Sequence, residues 1–367
     1  MRILSLQEAE DILYGACIHG AGGGGSLKEG LALLKAIYER GQQIKLISLD
    51  EVEDAWLIVS PYYVGSVAPP TAEAALKLEG LEVMEGNPSV FATLALQKHL
   101  KQEIKAICAT ELGGNTAWAM DVAAQLNLPI IDADPAGRAV PDLAHTTFNV
   151  FGASITPFAL ANRYGDSLVV ESVVNHDRAD QIARSFASVS GNFSGICDHP
   201  LQGDRFKEIV IDKTLTKSEQ LGRARREALE QQKSPIQALL TKPNVTLITE
   251  GTVIQSDWRD ATGFIEGDFV VEPFGHTNEA EHFSIWFRNE NMYIKKDEQL
   301  ISIIPDVITV LDFETGEPIL NPTCKVGEKV AIVNISSPEI WTTEQGLEVF
   351  GPNYIGMSNE DYNGLKK

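Results

Sequence analysis

Residues 104–146 read IKAICATELGGNTAWAMDVAAQLNLPIIDADPAGRAVPDLAHT, and their order decides the fold. An apolar run over residues 104–109 has the character of a strand and ends in Thr110-Glu111. A turn follows at Gly113-Gly114-Asn115. Over residues 116–126, Trp118, Val122, Ala123 and Leu126 fall at helical spacing. Leu128-Pro129 stops that helix. A second short apolar run, Ile130-Ile131, then ends in Asp132-Ala133-Asp134. Strand, helix and strand of this length predict a parallel crossover. Open α/β sheets place their ligand crevice at the carboxyl ends of such strands. Glu111, Asp132 and Asp134 are therefore expected on one rim, together with Gly113, Gly114 and Arg138.

Upstream, Ser5-Leu6-Gln7-Glu8 is a capping-box pattern, followed by Ala9, Ile12, Leu13, Ala16 and Cys17 at helical spacing. Gly20-Ala21-Gly22-Gly23-Gly24-Gly25 ends that helix. Ser26-Leu27-Lys28-Glu29 then opens a second one, with a stripe of Leu31, Leu34, Ala36, Ile37 and Tyr38. The glycine run thus joins two helices, and its last residues feed a helix N-terminus with unpaired N–H groups. It follows no strand and lacks Gly-Lys-Ser/Thr, so neither a dinucleotide fingerprint nor a P-loop is supported. A flexible connector is the plain alternative. Four consecutive glycines favour close backbone approach to a ligand by Gly22, Gly23, Gly24, Gly25 and Ser26.

Residues 44–49 and 55–60 have strand character, and 61–66 follow them onto the expected rim. Residues 89–100 and 176–189 are expected to be helices, 168–174 a strand, and 216–232 a helix. This alternation predicts an α/β N-terminal domain with a mostly parallel sheet over residues 1–240. Composition changes near Pro235 and Pro243. From Thr246 onward short alternating segments are separated by turns such as Glu314-Thr315-Gly316-Glu317, which predicts a smaller β-rich domain over residues 241–367, a barrel or sandwich.

The chain has 367 residues, more than one core of ordinary size requires, in keeping with two domains. Its formal net charge of -21 repels phosphate backbones and anionic membranes, so neither nucleic acid nor a membrane surface is an expected partner. No run reaches the ~20 apolar residues of a membrane span. The first residues do not have the pattern of a signal peptide. Four dispersed cysteines, with no Cys-x-x-Cys pair, fit a reducing cytoplasm.

Among chemical groups, Glu111, Asp132 and Asp134 lead. Carboxylates at strand ends hold hard divalent metals or act as general acid and base. Asp132 and Asp134 also suit a turn before Pro135. Arg138 fits a substrate carboxylate or a salt bridge to a neighbouring aspartate. Of the seven histidines, His19 abuts the glycine loop and His145 closes the central stretch. Asp198-His199 is a lesser candidate. No His-x-x-x-His pair occurs. Ser26, Thr110 and Thr116 are hydroxyl candidates, but no Gly-x-Ser-x-Gly elbow is present. Asn289-Glu290-Asn291 is either a polar turn or a group reaching across the domain interface.

Together these stretches resemble one family. They are Gly22 to Gly25 after a first helix, Glu111-x-Gly-Gly-Asn, and Leu128-Pro-Ile-Ile-Asp-x-Asp-x-x-Gly-Arg-Ala. Asn289-Glu290, Ile304-Pro305-Asp306, Leu311-Asp312, Thr315-Gly316-Glu317-Pro318 and Gly351-Pro352 add to the likeness. The family is the S-methyl-thiohydantoin desulfurase-like proteins, often met beside hydantoinase/oxoprolinase proteins. The resemblance implies hydrolysis of a five-membered cyclic ureide or thioureide, in which water replaces sulfur at a ring carbon or opens the ring. It places the site at Gly22 to Gly25, Glu111, Gly113, Gly114, Asn115, Asp132, Asp134, Gly137 and Arg138.

The expected enzyme is thus a hydrolase. Asp132 or Asp134 activates water or, with His145, holds a divalent metal such as zinc or manganese. Glycine-loop N–H groups stabilise an oxyanion, and Arg138 or Asn115 orients a small-molecule substrate. The alternative is a non-catalytic subunit or ligand-binding partner of a hydantoinase-type enzyme. A homo-oligomer is a further expectation for a chain of this size.

Overall fold

The computed structural model describes every residue except 66–71, 262–263, 276–280 and 366–367. Ser66, expected on the rim, and His276 lie outside the described residues.

The central crossover is present. Strand Ile104–Ile107 pairs in parallel with Leu57–Gly65 on one side and with Pro129–Ile131 on the other. Pro129–Ile131 pairs in parallel with Lys45–Ile47. Helix Asn115–Gln125 makes the crossing and buries Ala117, Met120, Val122 and Ala123 against Ile104, Ile107 and Ile130. Apolar residues on both strands and helix explain the choice of layers, since a parallel strand is covered on both faces.

The sheet continues past this parallel core by antiparallel pairing. Arg2–Ile3 closes one edge against Lys45–Ile47. On the far side Phe193–Gln202 runs antiparallel to Leu57–Gly65, followed by Phe158–Ala161 and Ser167–Val170. The eight-stranded sheet is therefore mixed, rather than mostly parallel. Periodicity marks a strand but not its direction. Direction is set here by a short hairpin, Phe158–Ala161 to Ser167–Val170, which admits only antiparallel pairing.

Two helices built by the expected caps flank the glycine run. Ser5 Oγ accepts from Glu8 N (3.2 Å), and Glu8 Oε2 accepts from Ser5 N (2.7 Å). This capping box starts Leu6–His19. At Leu27–Glu39 only half of the second box forms: Ser26 Oγ accepts from Glu29 N (3.3 Å). The Glu29 side chain instead lines a cavity described below.

Helix Leu6–His19 packs on Thr214–Glu230 with their backbones nearly touching. A Cβ placed on Gly15 would lie 1.8 Å from Ser218 O, and one on Gly222 would lie 1.9 Å from Asp11 O. Arg226 seals the same seam, donating from Nε to Asp11 Oδ1 (2.9 Å) and from Nη2 to Asp11 Oδ2 (2.9 Å).

Among the described residues from Val245 to Ile335, seven strands form one antiparallel sheet. Along Phe283–Arg288, the buried residues Phe283, Ile285 and Phe287 alternate with half-buried ones. This is the two-residue period that the sequence carries. The sheet curls, and Asn291 Nδ2 donates across it to Ile308 O (2.9 Å). Helices Glu344–Phe350 and Asn359–Leu365 follow it. Trp341 and Phe350, both fully buried, pack with Met292, Ile303 and Ile304, and Trp341 also reaches the turn after Asp134. Trp341 Nε1 donates to Ala136 O (2.7 Å). Among the described residues no helix is long and apolar enough to cross a membrane.

The glycine seam makes a direct prediction. Gly222→Ala gains about 1 kcal/mol of helix propensity but forces the two helices apart, and overpacking of this kind costs about 1–3 kcal/mol or more. The expected net result is a lower urea midpoint. A midpoint equal to or above that of the parent chain would show that the helices separate freely.

Candidate functional site

A cavity of about 390 Å³ opens at the carboxyl ends of the parallel strands, between the two domains. Its first wall is the loop Gly22, Gly23, Gly24, Gly25 and Ser26. Its second carries Glu111 and Asn115, and its third Tyr62, Asp198 and His199. Glu290 comes from a strand of the antiparallel sheet and Asn321 from the connection between two of its strands. Tyr62 and Tyr63 reach the rim from within strand Leu57–Gly65, which continues through 61–65 because Phe193–Gln202 pairs with it there.

The glycine loop is held by main-chain hydrogen bonds from three separate segments. Asn291 N donates to Ala21 O (2.7 Å), Asn321 N to Gly22 O (2.8 Å), and Asn115 N to Gly24 O (2.8 Å). Gly22, Gly24 and Gly25 have φ of +85°, +72° and +95°, which disfavour any side chain. A Cβ on Gly23 would fall 2.0 Å from Glu290 Oε1, and one on Gly24 2.8 Å from Ala139 Cβ. The run is therefore glycine because protein crowds it from both sides. Among the described residues the N–H groups of Gly24 and Gly25 donate to no protein acceptor. Gly113 and Gly114 lie behind the loop rather than in the cavity. A Cβ on either would fall 2.5 Å from the main chain of Gly24 or Gly25.

Two carboxyl groups face each other across the domain boundary. Glu111 is buried, accepting from Asn115 Nδ2 at Oε1 (2.7 Å) and from Val140 N at Oε2 (2.9 Å). Burial pushes its pKa up to about 7, against the pull of those two hydrogen bonds. Glu290, 2% exposed, is pushed up to about 8, first by burial and then by the negative charge of Glu111. Its Oε2 is buried with no hydrogen-bond partner among the described residues. Glu290 thus reaches across the interface, while Asn289, at φ +58°, makes the turn that delivers it.

The aspartates and the arginine expected on this rim have other work. Asp132 accepts from Thr216 N at Oδ1 (2.9 Å) and from Thr216 Oγ1 at Oδ2 (2.5 Å), which anchors the first turn of helix Thr214–Glu230. Asp134 Oδ1 accepts from Ala136 N (2.7 Å) and Gly137 N (2.6 Å), closing a turn. Burial lifts its pKa to about 6. Arg138 is fully buried and donates from Nη1 to Pro305 O (2.8 Å) and Asp306 O (3.0 Å), with its guanidinium 4.8 Å from the Phe350 ring centre. None of the three lines the cavity. Strand-end position is visible in the sequence, but side-chain direction is not: Asp132 turns to the start of helix Thr214–Glu230, Asp134 to its own turn, and Arg138 to the second domain.

The metal set of Asp132, Asp134 and His145 does not assemble. His145 Nδ1 lies 2.8 Å from Asp142 Oδ1, with the ring between those of Phe350 and Tyr354. Both oxygens of Asp132 and one of Asp134 are already engaged. Among the described residues no group of three histidine, cysteine or carboxylate side chains is placed to hold a metal ion. Thr116 Oγ1 donates to Glu111 O (3.2 Å) and so holds the strand-end turn. Ser26 is a helix cap. His19 abuts the loop but lines a separate cavity of about 470 Å³ behind it.

One constellation exceeds what the sequence suggested. His199 Nδ1 lies 2.9 Å from Asp198 Oδ1, and Tyr62 Oη donates to Asp198 Oδ2 (2.6 Å). His199 Nε2 lies 3.3 Å from His176 Nε2. His199 has φ +44°, at a bulge where Ser60 pairs with Asp198 but Ile58 pairs with Leu201. Bulges re-aim side chains, and strained backbone of this kind gathers at functional sites. Adjacency of Asp198 and His199 is the only sequence signal for it. Tyr62 and His176 join from distant segments.

Comparison with known proteins gives a consistent picture. No curated protein matches the chain. A solved X-ray structure of a Chromobacterium violaceum protein, a structural-genomics target, is 22% identical and superposes with a TM-score of 0.78 over 97% of each chain. At that identity it speaks for the fold alone. Family models for the S-Me-THD-like N-terminal and C-terminal domains match residues 7–172 and 174–365. Matched in this way along nearly its whole length, the chain belongs to the S-methyl-thiohydantoin desulfurase-like family.

Proposed function

We propose that the protein is a hydrolase of hydantoin- or thiohydantoin-like rings, with Glu111 as general base and Glu290 as general acid. The observation that carries this reading is the pair of buried carboxyl groups, one from each domain, with pKa values raised to about 7 and about 8 beside a glycine loop. Enzymes that need an acid and a base at neutral pH hold two carboxyl groups in environments of this kind.

The step balances as follows. Glu111 takes a proton from water as the oxygen attacks the ring carbon that bears sulfur. The N–H groups of Gly24 and Gly25 face the negative charge that builds on the adduct. The C–S bond breaks, its electron pair leaves on sulfur, and Glu290 supplies the proton that makes a thiol. On a plain hydantoin the same acid protonates the departing ring nitrogen. Asn115, fixed to Glu111, orients the base. The substrate is a small molecule, and the family name supports the ring class.

The pH dependence follows from the signs. A base works deprotonated, so kcat/KM falls as pH drops below about 7. An acid works protonated, so it falls again above about 8. The expected profile on an S-alkyl thiohydantoin, followed by thiol release, is a bell between those limbs. Glu111→Gln loses the acidic limb and Glu290→Gln the alkaline one, each with a ~10²–10⁴-fold loss of rate. A full-rate Glu111→Gln variant would remove Glu111 as the base.

Stability gives a check that needs no substrate. Glu290 binds its proton more tightly folded than unfolded, so its contribution is complete below pH 4.5 and is lost as pH rises through about 8. Glu290→Gln keeps the shape and removes the titration. Its melting temperature is expected to match the parent at pH 4 and to exceed it at pH 9. Parallel curves for the two proteins across that range would mean that Glu290 is not held protonated.

A further inference from the structure

We infer that Tyr62, Asp198, His199 and His176 form a proton conduit between the cavity and the protein surface. Asp198 and His199 line the cavity and are 1% and 3% exposed. His176, the first residue of helix His176–Val189, is partly exposed. The four side chains are linked end to end at 2.6, 2.9 and 3.3 Å. The line therefore begins at the buried Tyr62–Asp198 pair on the cavity wall and ends at the partly exposed His176.

The hydrogen bonds also fix its polarity. As a carboxylate Asp198 only accepts, and Tyr62 already donates to Oδ2. Its other oxygen must then receive the His199 proton on Nδ1. A neutral His199 protonated at Nδ1 has a bare Nε2, which can only accept from its neighbour. His176 is thus protonated at Nε2 and presents a bare Nδ1. Burial, the larger cause, lowers the His176 pKa to about 4, so this ring is neutral at pH 7. Asp198 and Asp142 act on it in the opposite sense.

Transfer along this line conserves atoms and charge. A proton captured at His176 Nδ1 releases the Nε2 proton to His199 Nε2. His199 then passes its Nδ1 proton to Asp198 Oδ1. Reversal drains a proton by the same route. Neither histidine offers a free nitrogen to the cavity, so they act through Asp198 and are positioning residues rather than the base. The strained φ of His199 has a purpose in this arrangement, because it turns the ring edge to span Asp198 and His176. The conduit's value to catalysis rests on the proposed hydrolysis, in which Glu290 must regain a proton after each turnover.

The test uses the full chain labelled with ¹⁵N at histidine and needs no substrate, so its outcome is separate from that of the hydrolase reading. Nitrogen shifts are expected to place the proton on Nδ1 of His199 and on Nε2 of His176. In His176→Asn a donor remains but cannot relay. Exchange of the His199 Nδ1 proton with water is expected to slow by about tenfold or more. His176→Gln, with a longer side chain, provides a second variant. The opposite tautomers, or exchange that is unchanged or faster in both variants, would overturn the conduit, since a purely structural histidine loosens the network when it is removed.

Discussion

The site depends on one constraint: the glycine loop is hydrogen-bonded at the same time to the strand-end turn of the first domain and to two strands or turns of the second. Asn291, Asn321 and Asn115 give main-chain N–H groups to the carbonyls of Ala21, Gly22 and Gly24. Those bonds require the backbones to approach more closely than a Cβ permits, and Glu290 Oε1 occupies the space beside Gly23. The loop is thus the joint at which two domains become one cavity wall. With its carbonyls turned toward protein, its remaining N–H groups at Gly24 and Gly25 are left for a ligand. A loop fixed on both sides meets a developing charge without reorganising, which is the condition under which backbone donors are most effective.

Arg138 complements this joint from below. Its guanidinium is buried between the first-domain turn closed by Asp134 and the carbonyls of Pro305 and Asp306. Burial brings its pKa down to about 10, so it remains a cation at neutral pH. That charge opposes, without cancelling, the desolvation that raises Glu290 and Glu111. Without it, both carboxyl groups would hold their protons to higher pH. An arginine that never touches the cavity in this way bears on the protonation of the two groups that line it.

How much of this was legible follows from what sequence encodes. The parallel crossover, the two first helices, the helix His176–Val189 and the antiparallel second sheet were readable because each rests on local periodicity and caps. The placing of Glu111 at a sheet edge was readable too, because it ends a strand; the glycine run follows no strand, and only the family resemblance set it beside Glu111. Side-chain direction was not readable. Asp132, Asp134 and Arg138 stand at the expected positions along the chain, yet they turn away from the cavity: Thr216, Pro305 and Asp306, more than 80 residues away in sequence, hold Asp132 and Arg138, and Asp134 closes its own turn on Ala136 and Gly137. Glu290 and His199 were underrated for the same reason. Each is aimed by a positive φ, at Asn289 and at His199 itself, that no residue pattern announces.

Charge narrows what the cavity can accept. Its lining carries the carboxyl groups of Glu29, Glu111, Asp142, Asp180, Asp198 and Glu290, against the single guanidinium of Arg184. Arg184 is already committed, donating to Asp180 Oδ2 (2.6 Å) and Pro141 O (3.0 Å). An anionic ligand entering such a space loses hydration without gaining a counter-charge. A neutral ring rich in N–H donors gains acceptors on every side. That balance favours the proposed ureide and thioureide rings over phosphorylated or multiply carboxylated substrates.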